Sequence, residues 1–198
     1  MYKKQMKLQK VFCLVSVISS ALLFLYSLGI MTDLYDALYL TMRNNYDLTQ
    51  TTVPGSYMYY EMQGFNRSFL YASIGLILLS CLLYVTNTHV RRRYYSGNYV
   101  SVCLYAAAVL GVTGWAHLQI EFFKTKFQAI DFDALKEHAE LFNTLLLDRN
   151  STFWFDIHYL LFAVALLAAA LQVYNLVWKT KLMKEEARLL GGAGKETA

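Results

Sequence analysis

The chain has 198 residues, of which 57% are hydrophobic and 16% charged, with a formal net charge of +4 and a mean hydropathy of +0.32. A soluble domain carries roughly a quarter charged residues, so this composition excludes a water-soluble enzyme. The apolar residues gather in long uncharged runs at 11–31, 68–88, 94–116 and 157–178, interrupted only by His158. Each run has about the 20 residues that a helix needs to cross a hydrocarbon core of about 30 Å.

The sequence therefore predicts an all-α fold, a four-transmembrane-helix bundle formed by a single domain over residues 1–198. The predicted spans are about 11–31, 68–88, 97–118 and 153–178. Long connections follow at 32–67 and 119–152, and a tail at 179–198. The first run is longer than the signal-peptide core of about 7–15 residues, so we interpret it as a retained helix.

The positions of the lysine and arginine residues predict the orientation of the chain in the membrane. Most of the 18 basic residues lie in the N-terminal ten residues, in the short connection after the second span, and in the tail. Positive charge is retained on the cytoplasmic side of membranes. We therefore expect a multi-pass protein of the cell membrane with both termini in the cytoplasm and both long connections outside.

The two outer connections each contain a pattern typical of a short amphipathic helix. Segment 32–42 repeats apolar residues every four positions from Leu34, and Asp33 is expected to face water. In the second connection, Asp133 is the expected N-cap of a helix over 134–146. We predict two short amphipathic helices at the outer rim of the bundle.

Small residues predict which spans pack most closely. The third span has Ala107, Gly111 and Gly114 near one face, and the fourth has Ala165 and Ala169. Small residues allow membrane helices to approach each other closely. Spans three and four are therefore the predicted closest pair.

Ionisable residues near the outer ends of spans three and four form the main candidate site. The residues are His117, Glu121, Asp156 and His158. Buried ionisable groups in a membrane are a functional-site hypothesis, and two imidazoles with two carboxylates could hold a metal, relay a proton or bind a polar ligand. Because all four lie within about two turns of the expected interface, where water lowers the cost of charge, we prefer a hydrogen-bonded clamp. No catalytic, cofactor or metal residue is assigned.

An aromatic segment precedes the second span, with Tyr57, Tyr59, Tyr60 and Phe65. Such residues could form an outer surface that stacks on a sugar ring. An interfacial aromatic belt is the commoner reason for them, because tyrosine keeps its hydroxyl in water and its ring in lipid. Both interpretations stay open.

A basic run lies in the short connection after the second span, at Arg91, Arg92 and Arg93. It could dock a partner on the cytoplasmic side. The retention of basic residues on the cytoplasmic side of membranes and contact with anionic lipid explain this basic run equally well.

Sequence motifs exclude several classes of protein. The chain has no C-x-x-C, no zinc-type cysteine spacing and no glycine-rich phosphate loop, and its three cysteines fall inside predicted spans. We expect no enzymatic activity, no cofactor and no nucleic-acid partner.

Five stretches of the chain resemble a family of uncharacterised four-span membrane proteins of Gram-positive bacteria. They are LYSLGIMTDLYDALY from Leu25, TTVPGS from Thr51, LLYVTNTHVRRRYYSGNYV from Leu82, FWFDIHYLL from Phe153 and VWKTKLMKEE from Val177. Such proteins are encoded beside carbohydrate ABC transporters. The resemblance implies an accessory role in carbohydrate transport, with ABC permeases as partners in the lipid bilayer, and carries over no site residue.

Three classes of function remain open at this level. The preferred one is a non-catalytic accessory or scaffold subunit of a membrane complex. A small-solute transporter or channel is the first alternative, although broken helices and internal repeats typical of transporters are missing from the sequence. A membrane redox or metal-binding protein is the second, and it depends only on the histidine and carboxylate residues.

Overall fold

The computed structural model describes residues 2–35, 56–88, 97–134 and 151–193. Four long helices account for most of them: α1 (Tyr2–Gly29), α2 (Ser56–Thr88), α3 (Gly97–Gln128) and α4 (Phe153–Ala193). Within those ranges no residue belongs to a β-strand. The prediction of an all-α four-helix bundle is confirmed.

Each helix contains a stretch long and apolar enough to cross a membrane. The stretches are Lys4–Tyr35, Tyr57–Thr88, Asn98–Gln128 and Phe153–Leu189. Four such helices are the architecture of a multi-pass membrane protein.

The helices are longer than the predicted spans. Helix α2 begins at Ser56 rather than near 68, and α3 continues to Gln128 rather than ending near 118. These extensions carry polar residues that find partners on the neighbouring helix, since Lys126 Nζ on α3 donates to Glu61 Oε2 on α2 at 2.7 Å. Segments 56–67 and 119–128, assigned to the outer connections, are therefore helical.

The first predicted amphipathic segment is described only at its start. Residues 32–35 are helical after a turn at 30–31, and the remainder of the segment lies outside the described residues. Leu34 is buried as predicted, but Asp33 is buried as well. The expectation that Asp33 faces water is wrong, because its carboxylate accepts the backbone N–H of Trp154 at 2.7 Å, in the first turn of α4.

The second amphipathic segment is also described only at its start. The carboxylate of Asp131 accepts the backbone N–H groups of Asp133 at 3.1 Å and Ala134 at 3.0 Å. This is the geometry of an N-cap. Asp131, not Asp133, therefore caps the turn over 132–134, and residues 135–146 lie outside the described residues.

The tertiary contacts divide the chain into two compact units, and each helix contributes a segment to both. The terminal unit comprises Met1–Ala21, Gly75–Leu110 and Ala163–Ala198. The loop unit comprises Leu22–Ile74 and Gly111–Phe162. The single domain over residues 1–198 stays a prediction.

The interior of the terminal unit contains hydrogen-bonded amides. Gln5 Nε2 donates to Gln9 Oε1 at 2.9 Å and to Asn175 Oδ1 at 3.1 Å, and Gln9 Nε2 donates to the carbonyl of Asn87 at 2.5 Å. All four side chains are at least 96% buried. We call these four residues the amide network, and it joins α1 to α2 and α4.

A second polar contact of the terminal unit lies about two turns further along α1. Gln172 Nε2 of α4 donates to Ser16 Oγ at 2.9 Å, and the hydroxyl of Tyr105 on α3 donates to the Ser16 carbonyl at 3.4 Å. Ser16 therefore connects three helices of the unit without any ionised group.

The core of the loop unit is aromatic. Phe65 stacks on Phe69 with ring centroids 5.9 Å apart, and Tyr26 meets Phe69 edge-on at 6.0 Å. Phe123 and Trp115 of α3 pack on Phe65 at 5.7 and 5.3 Å. Such ring pairs add specific geometry to apolar burial.

The small residues of α3 and α4 lie in different environments. Ala165 and Ala169 of α4 are buried, as expected for a packing face. Ala107, Gly111 and Gly114 of α3 are exposed. The predicted close packing of α3 through these three residues is therefore wrong for the described part of the chain.

Candidate functional site

Two histidines and one carboxylate meet between α3 and α4 in the loop unit. His117 Nδ1 lies 2.9 Å from His158 Nε2, and His158 Nε2 lies 3.9 Å from Glu121 Oε1. One potential ligand atom from each of these residues lies within 4.8 Å of the others. We call His117, Glu121 and His158 the His–His–Glu cluster.

The helices position this cluster through their periodicity. His117 and Glu121 are four residues apart on α3, so their side chains lie on one face. His158 lies in the second turn of α4 and is 0% exposed. Its ring packs on Phe162 and Tyr159, with centroids 5.1 and 4.1 Å away, so its orientation is fixed by packing.

The hydrogen bonds assign which ring nitrogens of the histidine pair carry a proton toward a neighbour. His158 Nδ1 contacts the carbonyl oxygen of Phe155, which can only accept, so Nδ1 carries the proton. His158 Nε2 then has a lone pair, which accepts the Nδ1–H of His117. The cluster thus holds one ring nitrogen of His158 as a fixed acceptor that points at His117.

Tyr159 belongs to the site, although the sequence analysis did not select it. Its hydroxyl donates to Glu121 Oε1 at 2.7 Å, and its ring lies 5.7 Å from that of His117. The sequence feature that indicates Tyr159 is its position directly after His158 at the start of an apolar run. Both residues lie in the same turn of α4, so both contact α3.

Asp156 does not join the cluster. Its Oδ1 accepts from Lys124 Nζ at 2.5 Å, and its Oδ2 accepts from the Thr152 hydroxyl at 2.7 Å. Asp156 lies two residues before His158, and two residues of an α-helix correspond to a rotation of about 200°. The two side chains therefore point in different directions. The structure therefore brings together three of the four predicted residues and places Asp156 in a separate ion pair.

The predicted outer aromatic surface is smaller than expected. Tyr57 is 65% exposed, and the rings of Tyr59 and Tyr60 meet edge-on at 5.6 Å. Phe65 is only 7% exposed and belongs to the aromatic core. Its inclusion in an outer surface is wrong, because helical periodicity turns it toward α3.

The basic run at Arg91, Arg92 and Arg93 lies outside the described residues. Its role in docking therefore stays a prediction.

No family model, curated protein or solved structure matches the chain. The resemblance to four-span proteins encoded beside carbohydrate ABC transporters therefore stays a prediction.

Proposed function

We propose that this protein is a non-catalytic accessory subunit that binds another integral membrane protein through α3. The observation that supports this role is the exposed face formed by Gly111 and Gly114 in the loop unit, which we call the α3 small face. These residues face away from the other described helices.

The glycines of this face are not required by packing inside the described part of the chain. Apart from the adjacent residues and the local backbone of α3, no atom of the described residues lies within 4 Å of a Cβ built on Gly111 or on Gly114. Glycine inside a helix is less favourable than alanine by roughly 0.5–1 kcal/mol. Close approach of a helix from another protein explains why glycine rather than alanine stands at these positions, because small residues allow the backbone contacts that drive association in lipid.

An apolar groove in the terminal unit offers a second contact area. It has a volume of about 440 Å³ and lies between α3 and α4, beside Ala106 and Ala170. Leu166 and Tyr174 form part of its wall. The groove suits the side chains of a transmembrane helix better than a polar solute, because its lining is almost entirely apolar.

The resemblance of the sequence suggests a partner, the permease of a carbohydrate ABC transporter. We further propose that the protein lies in the cell membrane with both termini in the cytoplasm, following its lysines and arginines. In that orientation Arg91, Arg92 and Arg93 face the cytoplasm, where acidic groups of a partner or of lipid can meet them.

The test is co-purification of the tagged full-length protein from native membranes in mild detergent. We expect permease subunits with the wild-type protein and at least tenfold less of them with Gly111→Leu, because a large side chain blocks close approach. The matched control is Gly75→Leu on α2. Among the described residues, none approaches its Cβ within 4 Å either.

The control variant should retain the partner. A wild-type protein that purifies alone, or a Gly111→Leu variant that retains its partner as well as Gly75→Leu does, would contradict the proposal. The small-solute transporter would then become the preferred alternative.

A further inference from the structure

We propose that the His–His–Glu cluster binds one divalent transition-metal ion, with zinc as the best match. The ligands are an imidazole nitrogen each from His117 and His158 and a carboxylate oxygen from Glu121. This function is independent of partner binding by the α3 small face.

The spacing of the donor atoms suits such an ion. Zinc binds histidine nitrogen and carboxylate oxygen at about 2.0–2.2 Å in tetrahedral geometry, which places two ligand atoms about 3.3–3.5 Å apart. The observed separations from His158 Nε2 are 2.9 Å to His117 Nδ1 and 3.9 Å to Glu121 Oε1. These two values bracket the required distance, and all three ligand atoms lie within 4.8 Å of one another, so rotation of the His117 and Glu121 side chains toward the fixed His158 nitrogen forms the site.

Groups around the cluster orient its donors as they do in metal sites. A ligating histidine almost always donates its other N–H to a carbonyl or carboxylate. His158 does so to the carbonyl of Phe155, which leaves Nε2 directed at the cluster. The Tyr159 hydroxyl fixes Glu121 Oε1 at 2.7 Å and leaves lone pairs for an ion.

His117 needs only a change of tautomer to become the second nitrogen ligand. In the histidine pair its Nδ1 carries the proton that lies between the two rings. An ion in that position replaces the proton, which moves to His117 Nε2. The other two ligands need no proton change, since His158 already presents a lone pair and Glu121 is a carboxylate.

The composition of the cluster selects the class of metal. Two imidazoles with one carboxylate suit zinc and the neighbouring transition metals, whereas magnesium and calcium prefer oxygen ligands alone. Glu121 is 37% exposed, which leaves an entry path for the ion on one side of the buried His158. Asp156 is not a ligand, because Lys124 and Thr152 occupy its oxygens.

The test is metal binding by the full-length protein in detergent after removal of metal with a chelator. Zinc titration against a chromophoric competitor should give one site per chain. Cobalt should give the visible absorption of a tetrahedral ion, and magnesium in tenfold excess should displace neither. Glu121→Gln, at a partly exposed position, should fold and lower zinc affinity at least tenfold.

Asp156→Asn is the matched control, because it removes a carboxylate that lies two residues before His158 but outside the cluster. It should bind zinc as the wild type does, and zinc should raise the melting temperature of both but not of a His117→Ala Glu121→Gln double variant. If the wild-type protein binds no zinc, or if the double variant binds it equally well, the cluster is a hydrogen-bonded clamp only and the proposal is overturned.

Discussion

The terminal unit and the loop unit both bury polar groups, but they bury different kinds. The terminal unit joins its helices through amides and hydroxyls, as where Gln5, Gln9 and Gln172 donate to oxygens of neighbouring helices, and it also buries the single lysine side chain of Lys179. The loop unit uses two imidazoles and a carboxylate surrounded by aromatic rings. Neutral amides can specify helix pairing, whereas ionisable groups can also hold ions and protons.

The two kinds of buried polar group make different energetic contributions within one helical bundle. Interhelical hydrogen bonds in membranes contribute on average about 0.6 kcal/mol each, so the amide network acts mainly as a specificity device. Ionisable groups are far more expensive to keep in apolar surroundings. Among the described residues, the loop unit holds three such groups together at His117, Glu121 and His158, whereas Lys179 of the terminal unit lies outside that cluster.

The largest expected effect comes from removing the fully buried imidazole of the loop unit. We expect His158→Ala to lower the free energy of unfolding by about 3 kcal/mol, because it leaves a cavity and removes the hydrogen-bond partner of His117. Chemical denaturation in detergent with chelator present measures this without bound metal.

The matched change for this prediction is Tyr159→Phe at the next residue. It removes one exposed hydroxyl and should lower the free energy of unfolding by less than about 1 kcal/mol. Equal losses for the two variants would show that the imidazole is not part of the packed core.

A second expected effect compares two glycines that lie in contrasting surroundings. A Cβ on Gly29 would lie 2.6 Å from the ring of Trp154. That ring is held in place because the Trp154 backbone bonds to Asp33 and Tyr26. We expect Gly29→Ala to reduce stability by about 1–3 kcal/mol through overpacking.

Gly111→Ala is the matched substitution in α3. Its Cβ meets no atom of the described residues within 4 Å, so the variant should gain up to about 1 kcal/mol from the better helix former. Thermal unfolding of both variants in the same detergent measures the difference. A stability loss in Gly111→Ala as large as in Gly29→Ala would contradict the assignment of an open face.

The smallest expected effect concerns the amide network. Gln9→Leu removes the donor to the Asn87 carbonyl and the acceptor of Gln5. We expect a loss of about 1 kcal/mol, since each interhelical bond contributes little. Gln63→Leu on an exposed face of α2 is the control and should change stability by less than about 0.5 kcal/mol.

The uncharged runs were sufficient to predict four helices but not where those helices end. Charged residues such as Lys126 follow an apolar run in the sequence, yet a helix continues through them when a neighbour supplies the opposite charge, as Glu61 does here. The pairing depends on tertiary structure, so no local pattern contains it.

The candidate site was predictable only in part, for the same reason. The spacing of His117 and Glu121 placed them on one face, and the location of His158 near the start of the fourth span placed it opposite. Asp156 was grouped with them by sequence distance, but the helix turns it toward Lys124. The amide network was missed because Gln5 and Gln9 precede the first apolar run and resemble a solvated flank.

The contact between Asp33 and Trp154 imposes an order on assembly. The two residues are separated by 121 positions in the chain, and the buried carboxylate caps the first turn of the last helix. Because α1 is synthesised well before α4, the Asp33 carboxylate cannot form this hydrogen bond until α4 has been made. Insertion of α4 therefore completes a hydrogen bond that a chain holding only α1, α2 and α3 cannot make.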